Sequence, residues 1–179
     1  MNDEPCLTIR EAAACDAAAM AGIKVDTWRV AYRGIISDEY LDALSYAEVE
    51  GRFRNVISVP GPGEQFMVAE AGGKVIGFVI FGPERAVAAE SRGEVYAVYV
   101  RPEHHGRGVG RKLMVAAACR LMEQGMRSLT VWTLDQARSR HFYERLGGRM
   151  ASSKTAHIGG AGYVHVAYCW SDMRLCFEP

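Results

Sequence analysis

The sequence predicts a single domain of the α/β (α+β) class over residues 1–179, built on one mixed, mostly antiparallel sheet of about seven strands with helices on both faces. Short apolar runs of strand length alternate along the chain with segments whose apolar residues recur at helical spacing. Two strand-like runs meet at Gly72 and Gly73, which form a strong two-residue hairpin signal. Between Glu94 and Thr133 the order is strand, helix, strand, which requires parallel pairing of the two strands.

The first half of the chain is predicted to supply three strands and three helices. Asp16 is expected to cap the first helix, and Ser37 or Asp38 the short second one. The proline and glycine residues from Pro60 onward end the third helix. The expected elements are, in order, a strand at 7–10, a helix at 16–30, a short helix ending at 44, a helix at 46–57, and hairpin strands at 66–71 and 74–81.

The second half begins with a nearly continuous apolar strand at 95–100, of the kind that is covered on both faces of a sheet. Pro102 ends this strand, and from Val109 apolar residues recur at helical spacing for about four turns. The remaining expected elements are a strand at 128–133, a helix that contains Tyr143, and closing strands at 149–158 and 163–170. A ligand is expected at the carboxyl ends of the parallel strands.

The loop between the apolar strand and the Val109 helix has the composition of a phosphate-binding loop. Three of its residues are Gly106, Gly108 and Gly110, which let backbone N–H groups approach a ligand closely. Three cations crowd the same helix start, where the macrodipole is already positive and where a bound pyrophosphate would compensate them. These cations are Arg107, Arg111 and Lys112. A solvated basic helix start is the plainer alternative.

Two common phosphate-binding motifs do not match this loop. A Walker loop requires Gly-Lys-Ser/Thr, whereas Gly110 is followed by Arg111, Lys112 and Leu113, with no hydroxyl for magnesium. A dinucleotide loop requires G-x-G-x-x-G, and here the last glycine comes one residue early. Both motifs are therefore excluded in their usual form.

The segment His105-Gly-Arg-Gly-Val-Gly110 resembles the acetyl-CoA signature of the GNAT superfamily of N-acetyltransferases, written Arg/Gln-x-x-Gly-x-Gly/Ala. His105 replaces the usual Arg or Gln, and a neutral imidazole still offers one N–H donor to a pyrophosphate. The segment 136–148 resembles the family pattern Asn-x-x-Ala-x-x-Phe-Tyr-x-x-Leu-Gly-Phe, with Gln136, Ser139 and Gly148 as departures and Tyr143 as a match. Segments 28–34, 40–44 and 166–172 look like a bacterial-type branch whose substrates are mostly unassigned.

This resemblance implies that the sheet splays open near its middle and that acetyl-CoA enters the gap as the acetyl-donor cosubstrate. The pantetheine would pair with the backbone of residues 98–100 like an added strand. The implied cofactor-binding residues are Val98, Tyr99, Val100, His105, Gly106, Arg107, Gly108, Val109, Gly110, Arg111, Gln136 and Ser139.

Two residues are candidates for catalysis of acetyl transfer to an amine. Tyr143, with an ordinary pKa of about 10, is suited to protonate the thiolate leaving group. On a helix it would share a face with Gln136 and Arg140, away from the core that Phe142 and Leu146 face. Glu94 lies where some family members carry a base, although it also reads as an ordinary strand-opening glutamate.

Other groups compete with Glu94 for the role of base. Glu90, Glu103 and a backbone-held water are alternatives, since an amine that is partly neutral needs little help.

The acceptor is predicted to be a primary amine of a small molecule or peptide, near Trp28, Tyr32 and Arg33 at the end of the first helix. A helical aromatic pair at this spacing is more often core than pocket. Arg33 would favour an acceptor with a carboxylate. The sequence does not choose among an amino acid, a polyamine, an antibiotic amine and a protein N-terminus.

Composition excludes several other classes of function. Lys plus Arg and Asp plus Glu both count 21, so no global field attracts nucleic acid or an anionic membrane. There is no apolar segment of about 18 residues to span a bilayer, and a cytoplasmic protein is expected. The five cysteines show no C-x-x-C spacing, which argues against a disulfide framework or a metal site. Assembly as a homodimer is left open.

Two other functions remain open from sequence alone. A noncatalytic acyl-CoA-binding regulatory module would keep the phosphate loop without the chemistry. An adenine-nucleotide phosphate binder would require magnesium. The residues around Tyr143 favour the enzyme.

Overall fold

The computed structural model of the protein describes residues 6–85 and 92–177. Glu90, one of the candidate bases, lies outside the described residues. The strands are β1 (Leu7–Glu11), β2 (Gln65–Ala71), β3 (Lys74–Pro83), β4 (Arg92–Val100), β5 (Ser128–Leu134), β6 (Arg149–Ile158) and β7 (Ala161–Trp170). The helices are α1 (Ala17–Ala31), α2 (Asp38–Asp42), α3 (Tyr46–Ser58), α4 (Val109–Glu123) and α5 (Arg140–Arg145).

All seven strands form one sheet in the order β1-β2-β3-β4-β5-β7-β6. The pair β4 and β5 is parallel, as the intervening helix α4 requires, and the other neighbouring pairs are antiparallel. The predicted fold class, a mixed and mostly antiparallel sheet, is therefore confirmed.

The sheet opens between β4 and β5. Their pairing runs only from Arg92 opposite Ser128 to Val95 opposite Val131, although β4 continues to Val100 and β5 to Leu134. On the other side of β4 the register with β3 shifts between Ile80 and Phe81, which makes Tyr96 the additional residue of a β-bulge. A bulge bends and twists its strand, so β4 diverges from β5 at the point where the bulge lies.

Helices cover both faces of the sheet, each over its own apolar core. One core lies under α4 and α5 and includes Leu113, Val131 and Trp170; the other lies under α1 and α3 and includes Met20, Phe53 and Phe78. No described helix has the length and apolar content needed to cross a membrane.

Asp16 occupies the predicted N-cap position of α1, but its side chain does not cap the helix. Instead it accepts hydrogen bonds from the Arg10 guanidinium at 2.7 Å and from the Ala13 N–H at 2.8 Å. Asp16 therefore ties the end of β1 to the start of α1, and Arg10 holds the pKa of its carboxyl below the ordinary value.

Candidate active site

The opening between β4 and β5 is a cleft of about 980 Å³. Its walls are the β4 segment beyond the last β5 pair, the start of α4 with its preceding loop, the end of β5, helix α5 and the C-terminal end of α1. All of the predicted cofactor residues except Arg107 line it, together with Tyr32, Arg33 and Tyr143. Arg107 is exposed on the loop outside the cleft wall, and its contact with a phosphate stays a prediction.

The glycine loop presents the N-terminus of α4 to this cleft. Gly106 and Gly108 have φ angles of 73° and 77°, a region that other residues rarely adopt. The helix begins at Val109, and Lys112 N–H donates to the Gly108 carbonyl at 3.0 Å. The three N–H groups before Lys112 have no partner within the helix and are available to an anion.

Gly110 has a different role from the other two glycines. A Cβ at this position would lie 3.2 Å from the Phe142 ring, so the missing side chain lets α4 approach α5 closely. Gly110 also lines the cleft, and its N–H is one of the three at the helix start, so its contact with a phosphate stays a prediction beside this packing role.

His105 uses the donor that we expected it to offer to a pyrophosphate. Its Nε2 donates to the Val100 carbonyl at 2.8 Å, which ties the loop to the end of β4. In the neutral ring the other nitrogen is then an acceptor. The loop amides and Arg111 line the cleft as well, and their contact with a phosphate stays a prediction.

An aromatic group forms the α1 side of the cleft. The Trp28 Nε1 donates to the Tyr99 hydroxyl at 2.8 Å, and the Trp28 and Tyr32 rings meet edge to face at 5.1 Å. Burial raises the pKa of both Tyr32 and Tyr99, so both phenols are neutral. Tyr32 and Tyr99 line the cleft, whereas Trp28 lies behind them and orients Tyr99.

Arg33 is not free to bind an acceptor carboxylate. Its guanidinium pairs with Asp42 at 2.9 Å and with Asp38 at 3.1 Å, both on α2. The expectation that Arg33 selects a carboxylate is corrected, because two acids of this chain already compensate its charge.

Tyr143 is part of the core, contrary to the predicted helix face. Only 6% of the residue is exposed, and its ring packs near Tyr168 at 5.9 Å and Trp170 at 6.4 Å. Phe142 and Leu146 are only partly buried. The helix is also shorter than predicted and begins at Arg140, so Gln136 and Ser139 precede it and do not share a helical face with Tyr143.

The hydroxyl of Tyr143 makes no hydrogen bond to any other residue in the described part of the chain, although the residue lines the cleft. Burial, and then the neighbouring Tyr99 phenol, raise the pKa of Tyr143 above its ordinary value. Tyr143 therefore presents a neutral and unengaged hydroxyl.

A polar network that the sequence did not reveal holds α5. The Arg140 guanidinium donates to the Asp135 carboxylate at 2.6 Å and to the Tyr168 hydroxyl at 3.0 Å. The Tyr168 hydroxyl in turn donates to Glu144 at 2.6 Å. Tyr168 is 24 or more positions away from both partners, so no local sequence pattern reveals the network.

Glu94 does not line the cleft. It is 3% exposed, and its carboxylate accepts hydrogen bonds from the backbone N–H and the guanidinium of Arg85 at 3.0 and 2.8 Å. Next to it, Tyr96 does line the cleft and donates to the Pro83 carbonyl, while burial raises the pKa of Tyr96 to about 12. Glu103 is exposed and also lies outside the cleft wall.

Residues 25–148 match the family model described as Acetyltransferase (GNAT) family. The chain is 33% identical to the uncharacterized N-acetyltransferase YuaI of Bacillus subtilis, over 93% of this chain and 94% of the relative. It is 26% identical to a probable N-acetyltransferase of Mycobacterium tuberculosis, over 90% of this chain and 92% of the relative.

Solved structures of acetyltransferases share the fold. The PaiA N-acetyltransferase of Thermoplasma acidophilum, solved in complex with coenzyme A, superposes with a TM-score of 0.69 at 20% identity, covering 90% of this chain and 98% of that one. The YncA protein of Salmonella typhimurium, a putative acetyltransferase solved with acetyl-CoA, has a TM-score of 0.67 at 21% identity, covering 96% and 98%.

Proposed function

The chain belongs to the GNAT family of acetyltransferases, and we propose that it moves an acetyl group from acetyl-CoA to a primary amine of a small molecule or peptide. The transfer occurs by direct attack of the amine while both substrates are bound. The observation that carries this proposal is the cleft where β4 leaves β5, which joins the phosphate loop to Tyr143.

The assignment of acetyl-CoA as the cofactor follows from the unpaired backbone of β4. Beyond Val95, the β5-facing edge of β4 has lost its strand partner, and the amides of an extended pantetheine arm supply the missing hydrogen bonds. The pyrophosphate then meets the first N–H groups of α4, with Arg111 beside them. The CoA and acetyl-CoA held by the two solved acetyltransferases support this assignment.

In the proposed step the amine nitrogen bonds to the thioester carbonyl carbon, and a backbone N–H of β4 stabilises the oxyanion. The oxyanion collapses, the carbon–sulfur bond breaks, and the amide product and a CoA thiolate form. The nitrogen loses one proton to solvent, and the thiolate gains one. No cysteine of the described residues lines the cleft, which favours direct attack over an acetyl-enzyme with a thiol nucleophile.

We assign to Tyr143 the stabilisation of the thiolate leaving group. Since its pKa is raised above about 10 and a thiol has an ordinary pKa of about 8.5, complete proton transfer to the thiolate is uphill by more than about 2 kcal/mol. A hydrogen bond from the neutral hydroxyl to the developing thiolate carries no such penalty. We therefore propose that Tyr143 stabilises the leaving sulfur in the transition state and that the proton arrives from it or from solvent afterwards.

We assign the proton acceptor for the amine to water. The Glu94 carboxylate is engaged by Arg85 and does not reach the cleft wall, so a direct contact with the amine requires a rearrangement. In this proposal Glu94 anchors Arg85 next to Tyr96, whose ring lies 4.0 Å below the Arg85 guanidinium.

A noncatalytic acyl-CoA-binding module is the alternative function. One observation favours it: no Asp or Glu of the described residues lines the cleft, so no carboxylate base faces the substrates. The enzyme needs no such base if the amine arrives partly neutral.

A panel of amines separates the two functions, with release of the CoA thiol as readout and calorimetry with acetyl-CoA and ATP alongside. The enzyme releases thiol with at least one amine and binds acetyl-CoA in preference to ATP. Binding of acetyl-CoA without thiol release for any amine supports the module instead.

A cytoplasmic site of action stays part of the proposal and is supported by the cysteines, which are unpaired in the structure.

A further inference from the structure

A second cavity lies on the outer side of α1, between α1, α2 and the start of α3. Its volume is about 170 Å³, and it shares no lining residue with the cleft. Trp28 and Tyr40 form its aromatic wall, and Ser45 and Val49 of the α3 start lie opposite. At about 30 Å³ per water-sized group, the cavity has room for a ligand of about five non-hydrogen atoms.

Lys24 contributes an uncompensated charge to this cavity. Its side chain is partly buried, and within residues 6–85 and 92–177 it has no ion pair or hydrogen bond. The ammonium lies 5.5 Å from the Trp28 ring centroid and 5.7 Å from that of Phe53, contacts that repay only part of its lost hydration. Burial is the main reason that the pKa of Lys24 is lowered.

A second cation faces the same cavity. Arg52 lies close enough to Lys24 that its charge also lowers the pKa of Lys24. Glu48, the acid that lines the cavity, is paired with Arg52 at 3.6 Å and is largely exposed. Two cations and one acid leave a net positive charge of one, located at Lys24.

We propose that this cavity binds a small carboxylate, with Lys24 as the primary contact, Arg52 as the second cation and the Trp28 and Tyr40 rings against the apolar end of the ligand. A carboxylate relieves the repulsion between the two cations and replaces the hydration that Lys24 has lost. Acetate and propionate have the size and the charge that the cavity fits.

The carboxylate has two sources, a free anion or the carboxylate group of an amine acceptor. Trp28 lies between the cavity and the cleft, and its indole holds the Tyr99 hydroxyl at 2.8 Å. Because Trp28 and Tyr99 separate the two spaces, the geometry favours a free anion. This inference goes beyond the acetyl transfer proposed above and does not depend on it.

Fluoroacetate, which has the five non-hydrogen atoms that the cavity accommodates, is the probe and is observed by ¹⁹F NMR. We expect its signal to broaden when the wild-type protein is added. Acetate should compete and reverse the broadening, whereas chloride at equal ionic strength should leave the broadening unchanged. The broadening is lost in Lys24→Gln and kept in the matched control Lys74→Gln, since Lys74 is exposed at the start of β3. Arg52→Gln should also weaken binding. This second variant checks that the loss in Lys24→Gln is not a local structural effect of that substitution.

Equal broadening in the wild-type protein and both Lys24→Gln and Arg52→Gln, or none in any of them, overturns the inference. A kinetic arm distinguishes the sources. If the carboxylate belongs to the acceptor, Lys24→Gln raises KM about tenfold for an ω-amino acid such as 6-aminohexanoate, whose chain separates the amine from the carboxylate, and leaves KM for hexylamine unchanged, as expected for one lost charged hydrogen bond. If the anion is free, neither KM changes. Should no amine react, the proposed function fails while the NMR result still decides the cavity.

Discussion

Replacement of Gly108 by alanine tests the phosphate loop most sharply. Gly108 has a φ of 77° and precedes the first residue of α4. Alanine in this region costs about 1–2 kcal/mol, because its Cβ crowds the following carbonyl oxygen. No atom of the protein lies within 4 Å of the added Cβ, so strain of the backbone and not a collision is the perturbation.

The strain weakens the binding of acetyl-CoA if the loop of the free variant relaxes to an unstrained conformation. Acetyl-CoA must then restore the strained conformation, and a cost of about 1–2 kcal/mol weakens its affinity about 5- to 30-fold. Isothermal titration calorimetry measures the affinity, and thermal unfolding followed by circular dichroism shows whether the fold itself is retained. Valine at the same position is expected to weaken binding further, since a β-branched residue is a greater outlier there.

Gly125 offers a matched control at the other end of the same helix. Its φ is 84°, and no atom lies within 4 Å of an added Cβ, but it is not a cleft residue. Gly125→Ala should lower stability by a similar amount and leave the affinity for acetyl-CoA unchanged. An unchanged affinity in both Gly108→Ala and Gly108→Val, or an equal loss in Gly125→Ala, would refute the assignment of the phosphates to this loop.

Other changes test the remaining parts of the site. Tyr143→Phe keeps the ring packing and should lower kcat about 10- to 1000-fold with little change in acetyl-CoA affinity, whereas Tyr46→Phe, on an exposed residue, should change neither. Because burial raises the pKa of Tyr143, its neutral form persists as pH rises, and kcat should show no loss from this group below about pH 10. A fall of kcat with rising pH below that value that is present in the wild type and absent in Tyr143→Phe would contradict this. Glu94→Gln should leave the pH profile of kcat/KM unchanged, and a lost acid limb would restore Glu94 as the base. Tyr168→Phe removes the link between Arg140 and Glu144 and should lower kcat and stability together by loosening α5, with acetyl-CoA affinity measured in parallel; unchanged kcat would make the network purely structural. The affinity for acetyl-CoA should fall as salt is raised, because Arg111 acts through a screened charge, and a salt-independent affinity would argue against a phosphate contact.

The sequence predicts the fold well because periodicity and turns are local signals. The hairpin at Gly72 and Gly73 and the strand, helix and strand order around α4 determine most of the strand pairing. The prediction that the sheet opens rests on the family resemblance. Its structural cause, the bulge at Tyr96, depends on register with β3, which no local pattern reveals.

Side-chain partners account for what the sequence did not predict. The sequence predicts free side chains at three site positions, but each is engaged by a residue 5 or more positions away. The pairs are His105 with Val100, Arg33 with Asp42 and Glu94 with Arg85. Spacing within the motif predicts that Tyr143 faces away from the core, whereas packing against the distant Tyr168 and Trp170 buries it. The residue types at the site were predictable, and their availability depends on tertiary contacts.

The claim that the acetyl group passes directly to the amine within the cleft is tested most directly by initial velocities of CoA release, with acetyl-CoA and the best amine of the panel varied together. Direct attack predicts intersecting reciprocal plots and no release of CoA without amine. Parallel plots with a burst of CoA release in the absence of amine would show an acetyl-enzyme and contradict the account.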